Sequence, residues 1–113
     1  RLRALDILNG SPGVDEQTVL DALDRALGDE DAQVKKYAMR ALADRGGPEA
    51  AARLHRALRD TDPAVRMAAI DNIVRSIPPA GRIPLLREAA SDGDEEVRSA
   101  AATWLEQSVA ESR

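Results

Sequence analysis

One pattern recurs three times in this chain. DAQVKKYAMRAL begins at Asp31, DPAVRMAAIDNI at Asp62 and DEEVRSAAATWL at Asp94, so the copies stand 31 and then 32 residues apart. Each opens on Asp, sets Val three residues on and a basic residue four on (Lys35, Arg66, Arg98), then places Ala and a bulky aliphatic at helical spacing. A fixed period of that length marks units that cannot bury their apolar faces singly and must stack on one another. That constraint outranks everything else in the sequence.

Within a copy, each residue type has a helical task. Asp31, Asp62 and Asp94 stand where an N-cap is wanted, accepting from backbone N–H groups that otherwise lack partners. Pro63 falls at the first helical position, where its missing N–H does no harm. Val34, Ala38 and Leu42 share a face, as do Val65, Ala69 and Ile73, and Val97, Ala101 and Leu105. The central Ala lets a neighbouring helix come close.

Each copy is followed by a break and a second helix. Gly46-Gly47-Pro48 supplies one break; Ser76-Ile77-Pro78-Pro79 with Gly81 supplies the next. The second helices read DEQTVLDALDRAL from Asp15, PEAAARLHRAL from Pro48 and IPLLREAA from Ile83, with Leu23, Leu54 and Leu86 in matching places. Pro84 predicts a late start for the last of these, with the proline held in its first turn. The final helix is expected from Glu95 to about Ala110. Residues 1–8, with Leu2, Leu5 and Leu8 three apart, read as the back half of a further first helix before the breakers Asn9-Gly10 and Pro12-Gly13. The whole is an all-α chain of about seven helices in stacked antiparallel pairs, an α-solenoid, forming one domain with units of roughly 1–28, 29–59, 60–91 and 92–113. The chain begins at Arg1, already inside a helical pattern, so it is expected to be a piece of a longer protein.

Composition supports helices over sheets. Hydrophobic residues make up 43% of the chain, yet Phe is absent and Trp104 and Tyr37 are the only aromatics, leaving Ala, Leu, Val and Ile to fill the core. A net charge of −4 disfavours a broad nucleic-acid footprint. With no Cys, thiolate metal sites, disulfides and a cysteine nucleophile are excluded, and cytosol and periplasm fit alike. No apolar run approaches the roughly 20 residues that span a bilayer.

The pattern D-x-x-V-R-x-x-A-x-x-x-[LI], an antiparallel second helix and a period near 31 resemble the HEAT-like repeats named after phycobilisome lyases. The resemblance runs from Ala4 to Leu105, with Lys35 in place of Arg in the first full copy. It implies a right-handed stack with one curved face used mainly to hold other proteins. It also implies that the basic residues of the motif join aspartates of adjacent repeats in an internal ladder, so Asp31, Lys35, Asp62, Arg66, Asp94 and Arg98 are structural caps and rungs. Lyase activity does not follow, because nothing local to a repeat encodes it.

Catalytic and metal-binding constellations are weak. His55 is the only histidine and sits among Arg53, Arg56 and Arg59, a setting that disfavours a cation. Asp92-Gly93-Asp94-Glu95-Glu96 lacks the twelve-residue calcium-loop pattern, and Asp94 has a capping task. Gly46-Gly47-Pro48 lacks the spacing and Lys of a phosphate loop. The second helices instead align Asp24, His55 and Arg87, and beside them Arg25, Arg56 and Glu88. In solenoids such positions form a continuous face where partners are held. An ordinary solvated surface explains them equally well. Trp104, aligned with Ala41 and Asn72, is read as closing the end of the stack. The sequence therefore points to a non-catalytic scaffold without cofactor or metal. Its expected partner is another protein, or another segment of its parent chain, bound through Arg53, His55, Arg56, Arg87 and Glu88. An accessory module of a chromophore-lyase-type or other modifying enzyme, and a plain structural spacer, are the alternatives. Oligomeric state stays open.

Overall fold

The structure, a computed structural model, describes residues 15–113. Among them are six helices and no strand: α1 (Glu16–Leu27), α2 (Ala32–Arg45), α3 (Gly47–Ala57), α4 (Pro63–Ser76), α5 (Pro79–Ala89) and α6 (Glu95–Glu111). The helix expected over residues 1–8 lies outside the described residues. First helices α2, α4 and α6 carry the recurring motif; α1, α3 and α5 are second helices.

The first helices pack directly on one another, α2 against α4 and α4 against α6. Their shared face explains why. Ala38, Ala69 and Ala101 are wholly buried, and Val34, Val65 and Val97 nearly so. Each Ala takes up little room, so the neighbouring backbone approaches and the flanking aliphatics interlock. Removing such a Val or Ile side chain from water is worth about 1.5–3 kcal/mol. The second helices add Leu23, Leu54 and Leu86 to the same core, each fully buried.

Turn chemistry sets the pair boundaries. Gly46 and Gly47 have φ of 69° and 85°, the left-handed region where a side chain would be strained. There α2 ends, the Gly46 amide donating to the Leu42 carbonyl at 3.0 Å, and α3 begins with Pro48 in its first turn.

The last second helix departs from expectation. Instead of starting near Ile83, α5 begins at Pro79, and Pro84 lies inside it. Pro79 itself is the favourable early proline, and the Pro78 carbonyl accepts from the Gly81 and Arg82 amides. Pro84 still removes one backbone hydrogen bond, but both it and Ala80 are exposed, so the freed carbonyl can face solvent. The early start also delivers Arg82 to the core position held by Val19 and Ala50 in the other second helices. Arg82 is 6% exposed, donating from Nε to Ser108 Oγ at 2.7 Å and from Nη2 to Glu111 Oε2 at 3.1 Å. Its Nη1 donates to the Val74 carbonyl at 3.2 Å. This clamp closes α4, α5 and α6 together, and α6 runs on to Glu111 under it. Trp104 is half-buried and packs against the main core.

Candidate functional site

The motif residues assemble into a repeating polar device at the start of each first helix. The Asp31, Asp62 and Asp94 side chains accept from the amides of Gln33, Ala64 and Glu96 at 2.8, 2.9 and 2.9 Å. Two residues earlier stands a second Asp, of which the sequence pattern draws notice only to Asp92, as part of a rejected calcium loop. Asp29, Asp60 and Asp92 accept from the amides of Asp31, Asp62 and Asp94 at 2.8, 2.9 and 2.8 Å, folding each Asp-x-Asp turn. The signal was available: Asp-x-Asp recurs at every copy with the same period.

These earlier aspartates also join the repeats. Lys35 Nζ donates to Asp60 at 2.8 Å. Arg66 grips Asp92 with two parallel bonds, from Nε at 2.8 Å and Nη2 at 3.0 Å, while its Nη1 donates to the Asp60 carbonyl oxygen at 2.8 Å. Arg98 repeats only the last contact, Nη1 to the Asp92 carbonyl oxygen at 3.0 Å. The Arg66 fork holds the Asp92 carboxyl below the ordinary carboxylate range, against burial, with help from the Asp94 amide. Burial pushes the Asp60 carboxyl up, but Lys35, the Asp62 amide and nearby Arg66 together outweigh it and hold it low.

The second-helix face is built from straps of charge. Arg53 on α3 reaches α1, with Nε to Asp24 at 2.8 Å and Nη2 to Asp24 at 3.1 Å, and its Nη1 donates to Glu49. At 11% side-chain exposure, with every guanidinium nitrogen engaged, Arg53 works as a strap inside the array. Arg56 donates to the same Asp24 at 2.9 Å but keeps 64% of its side chain exposed. Across the next junction, His55 Nε2 lies 2.6 Å from Glu88 on α5, and Arg59 Nε donates to the other Glu88 oxygen at 2.8 Å. His55, then Arg59, hold the Glu88 carboxyl low. Arg25 and Arg87 are exposed and make no ion pair among the described residues. The five residues singled out from sequence thus share one face but not one status: Arg53 is consumed, His55 and Glu88 bind each other, and Arg56 and Arg87 point their charge outward.

A cleft of about 270 Å³ opens on this face between α1 and α3, rimmed by Asp24, Arg56, Arg59 and Asp60. A larger, shallower hollow of about 540 Å³ lies along the first helices, lined by Lys36, Met67, Asp71, Asp94 and Glu96. Asp71, exposed at its edge, has no partner among the described residues, and partial desolvation pushes its carboxyl up. Among the described residues no three His, Cys, Asp or Glu side chains converge as a metal site. Asp92 and Asp94 are committed to Arg66 and to helix capping. No helix among the described residues is long and apolar enough to cross a membrane.

A family model described as HEAT repeats matches the chain twice, over residues 1–73 and 16–106. No curated protein matches, and no solved structure does.

Proposed function

Because the chain belongs to the HEAT-repeat family, whose members generally serve as protein-interaction scaffolds, we propose that it is a non-catalytic scaffold. It holds another protein, or another segment of a longer parent chain, on its second-helix face. The observation that carries this is the surplus of outward arginine. Asp24 is shared between Arg53 and Arg56, and Glu88 between His55 and Arg59, leaving Arg56 and Arg59 64% and 65% exposed; beside them Arg25 and Arg87 make no ion pair among the described residues. Such a rigid row, spaced by the repeat, suits carboxylates on a folded partner surface. Single-stranded nucleic acid is a poorer fit, because Tyr37 and Trp104, the only stacking groups, sit on first helices. The phycobilisome-lyase type of repeat and a right-handed stack complete the proposal, supported by the recurring Asp-x-x-Val-basic motif; the spacing of Leu2, Leu5 and Leu8 supports a seventh helix over residues 1–8, and the shared period a single domain over 1–113.

The test leaves the Arg53 strap and the His55–Glu88–Arg59 strap alone and gives up only the exposed Arg56–Asp24 pair. Arg56→Glu with Arg87→Glu should abolish capture of the partner from an extract of the source organism while the melting temperature stays within a few degrees. Undiminished capture by that double variant, correctly folded, would sink the face assignment.

A further inference from the structure

On the second-helix face, surplus arginine borders an apolar floor at the cleft between α1 and α3. These two helices are not closely packed on one another; the Asp24 straps join them across the gap. Leu27, Ala57 and Val65, all partly or fully buried, line the cleft beneath its charged rim. At about 270 Å³ it falls just short of the roughly 300 Å³ at which small-molecule sites begin, so it suits a side chain or two.

The rim's two acids are already matched from inside the array, Asp24 by Arg53 and Asp60 by Lys35, both cations largely buried. Its two arginines are only half engaged. Arg56 commits Nη2 to Asp24, and Arg59 commits Nε to Glu88. Among the described residues, Nε and Nη1 of Arg56 and both Nη groups of Arg59 carry no bond. The last turns of α1 and α3 end beside the cleft, and helix C-termini repel an anion. An incoming carboxylate therefore belongs at the rim, on the free guanidinium edges, while hydrocarbon covers the floor.

Building on the scaffold reading of this face, we infer that the cleft binds an acidic peptide segment carrying an aliphatic side chain next to a carboxylate. The aliphatic group covers Leu27, Ala57 and Val65; Arg56 and Arg59 take the carboxylate. Both features discriminate. A nucleic-acid strand brings charge without adjoining aliphatic carbon, and no aromatic side chain lines the cleft to stack a base. A purely apolar segment leaves the free guanidinium edges without new partners. A further repeat is no occupant either. Repeats stack onto the ends of an array, whereas this cleft opens between consecutive second helices with Val65 of α4 behind it.

Capped tetrapeptides titrated into the 113-residue chain, followed by amide chemical shifts, test the chemistry. A peptide with adjacent glutamate and leucine should give saturable shifts at Gly28, Ala57 and Asp60. Glutamine in place of the glutamate should weaken binding about threefold, and serine in place of the leucine about tenfold. No saturable shift at the cleft, or equal binding of either replacement, would overturn the assignment. So would tighter binding with phosphoserine in place of the glutamate, which would make the ligand a phosphate. Gly28→Leu should fill part of the cleft without removing a charge. Gly28 lines it with φ of −92°, and an added Cβ meets only the Arg25 carbonyl oxygen, at 3.6 Å. This variant should keep its melting temperature within a few degrees and lose the peptide shifts; unchanged binding also overturns the assignment. Capture from an extract separates the two readings. If Gly28→Leu captures the partner normally while Arg56→Glu with Arg87→Glu does not, the face stands and the cleft falls.

Discussion

Where first helices meet, side chains such as Ile70 and Ile73 are sealed completely, and the charge pair of Arg75 with Asp44, at 3.9 Å, lies at the exposed rim; where second helices meet, Arg53, His55 and Arg59 reach across to Asp24 and Glu88 along a partly exposed edge. The first seam is held by apolar area, which is insensitive to salt and pH and tolerates little change in shape. The second is held by ion pairs between long side chains, individually weak and easily exchanged. On the function proposed above, stability and recognition are thereby separated onto opposite edges of each helix pair. A scaffold needs that separation, because the face that varies with the partner must not be the face that holds the stack.

The severest challenge to this division is a cavity in the first seam. Ile70→Ala should cost about 2–5 kcal/mol in chemical denaturation, since a sealed array cannot collapse around the void. A loss under 1 kcal/mol would mean that the first helices do not carry the stack.

Between the seams lies the ladder, and it should respond at an intermediate level. Asp92→Ala removes the Arg66 fork and the support of the Asp94 amide, two groups that are mostly shielded; roughly 2 kcal/mol is expected. Its pH signature has a definite sign. Asp60 and Asp92 titrate lower in the folded chain than ordinary carboxylates. Their stabilisation is therefore complete above the unfolded value of about 4 and drains away as pH falls through the lower folded values. Denaturation midpoints followed from pH 6 to pH 3 should drop more steeply in the parent than in the Asp92→Ala variant. Parallel curves would remove the ladder from the account.

The first seam was legible in the sequence because periodicity reports burial directly: Val34, Ala38 and Leu42 and their counterparts had to share a face. The ladder was half legible. Its cations announced themselves four residues after each cap, but the accepting Asp60 and Asp92 stand outside the helical stripe, in turns where an Asp has several uses. The second seam was least legible. Helical spacing gathered Arg53, Arg56 and Arg59 into an apparent basic patch, while the neutralising Asp24 and Glu88 lie about 30 residues away and become neighbours only through stacking. Arg82 was hidden for a similar reason: a lone Arg at an apolar position looks like an exception until Ser108 and Glu111 arrive from the next helix.

The gentlest perturbation discriminates best between the two kinds of seam. Glu88→Gln keeps the shape of the second-helix face but removes the charge that His55 and Arg59 share. With Glu88 37% and Arg59 65% exposed, the loss should stay below about 1 kcal/mol. It should vanish in about 1 M salt, where the screening length shrinks to roughly 3 Å. The Asp92→Ala loss, shielded from solvent, should survive the same salt largely intact. If salt erased both differences equally, the ladder would belong with the exposed straps, and only the apolar seam would be left to set the order of the stack.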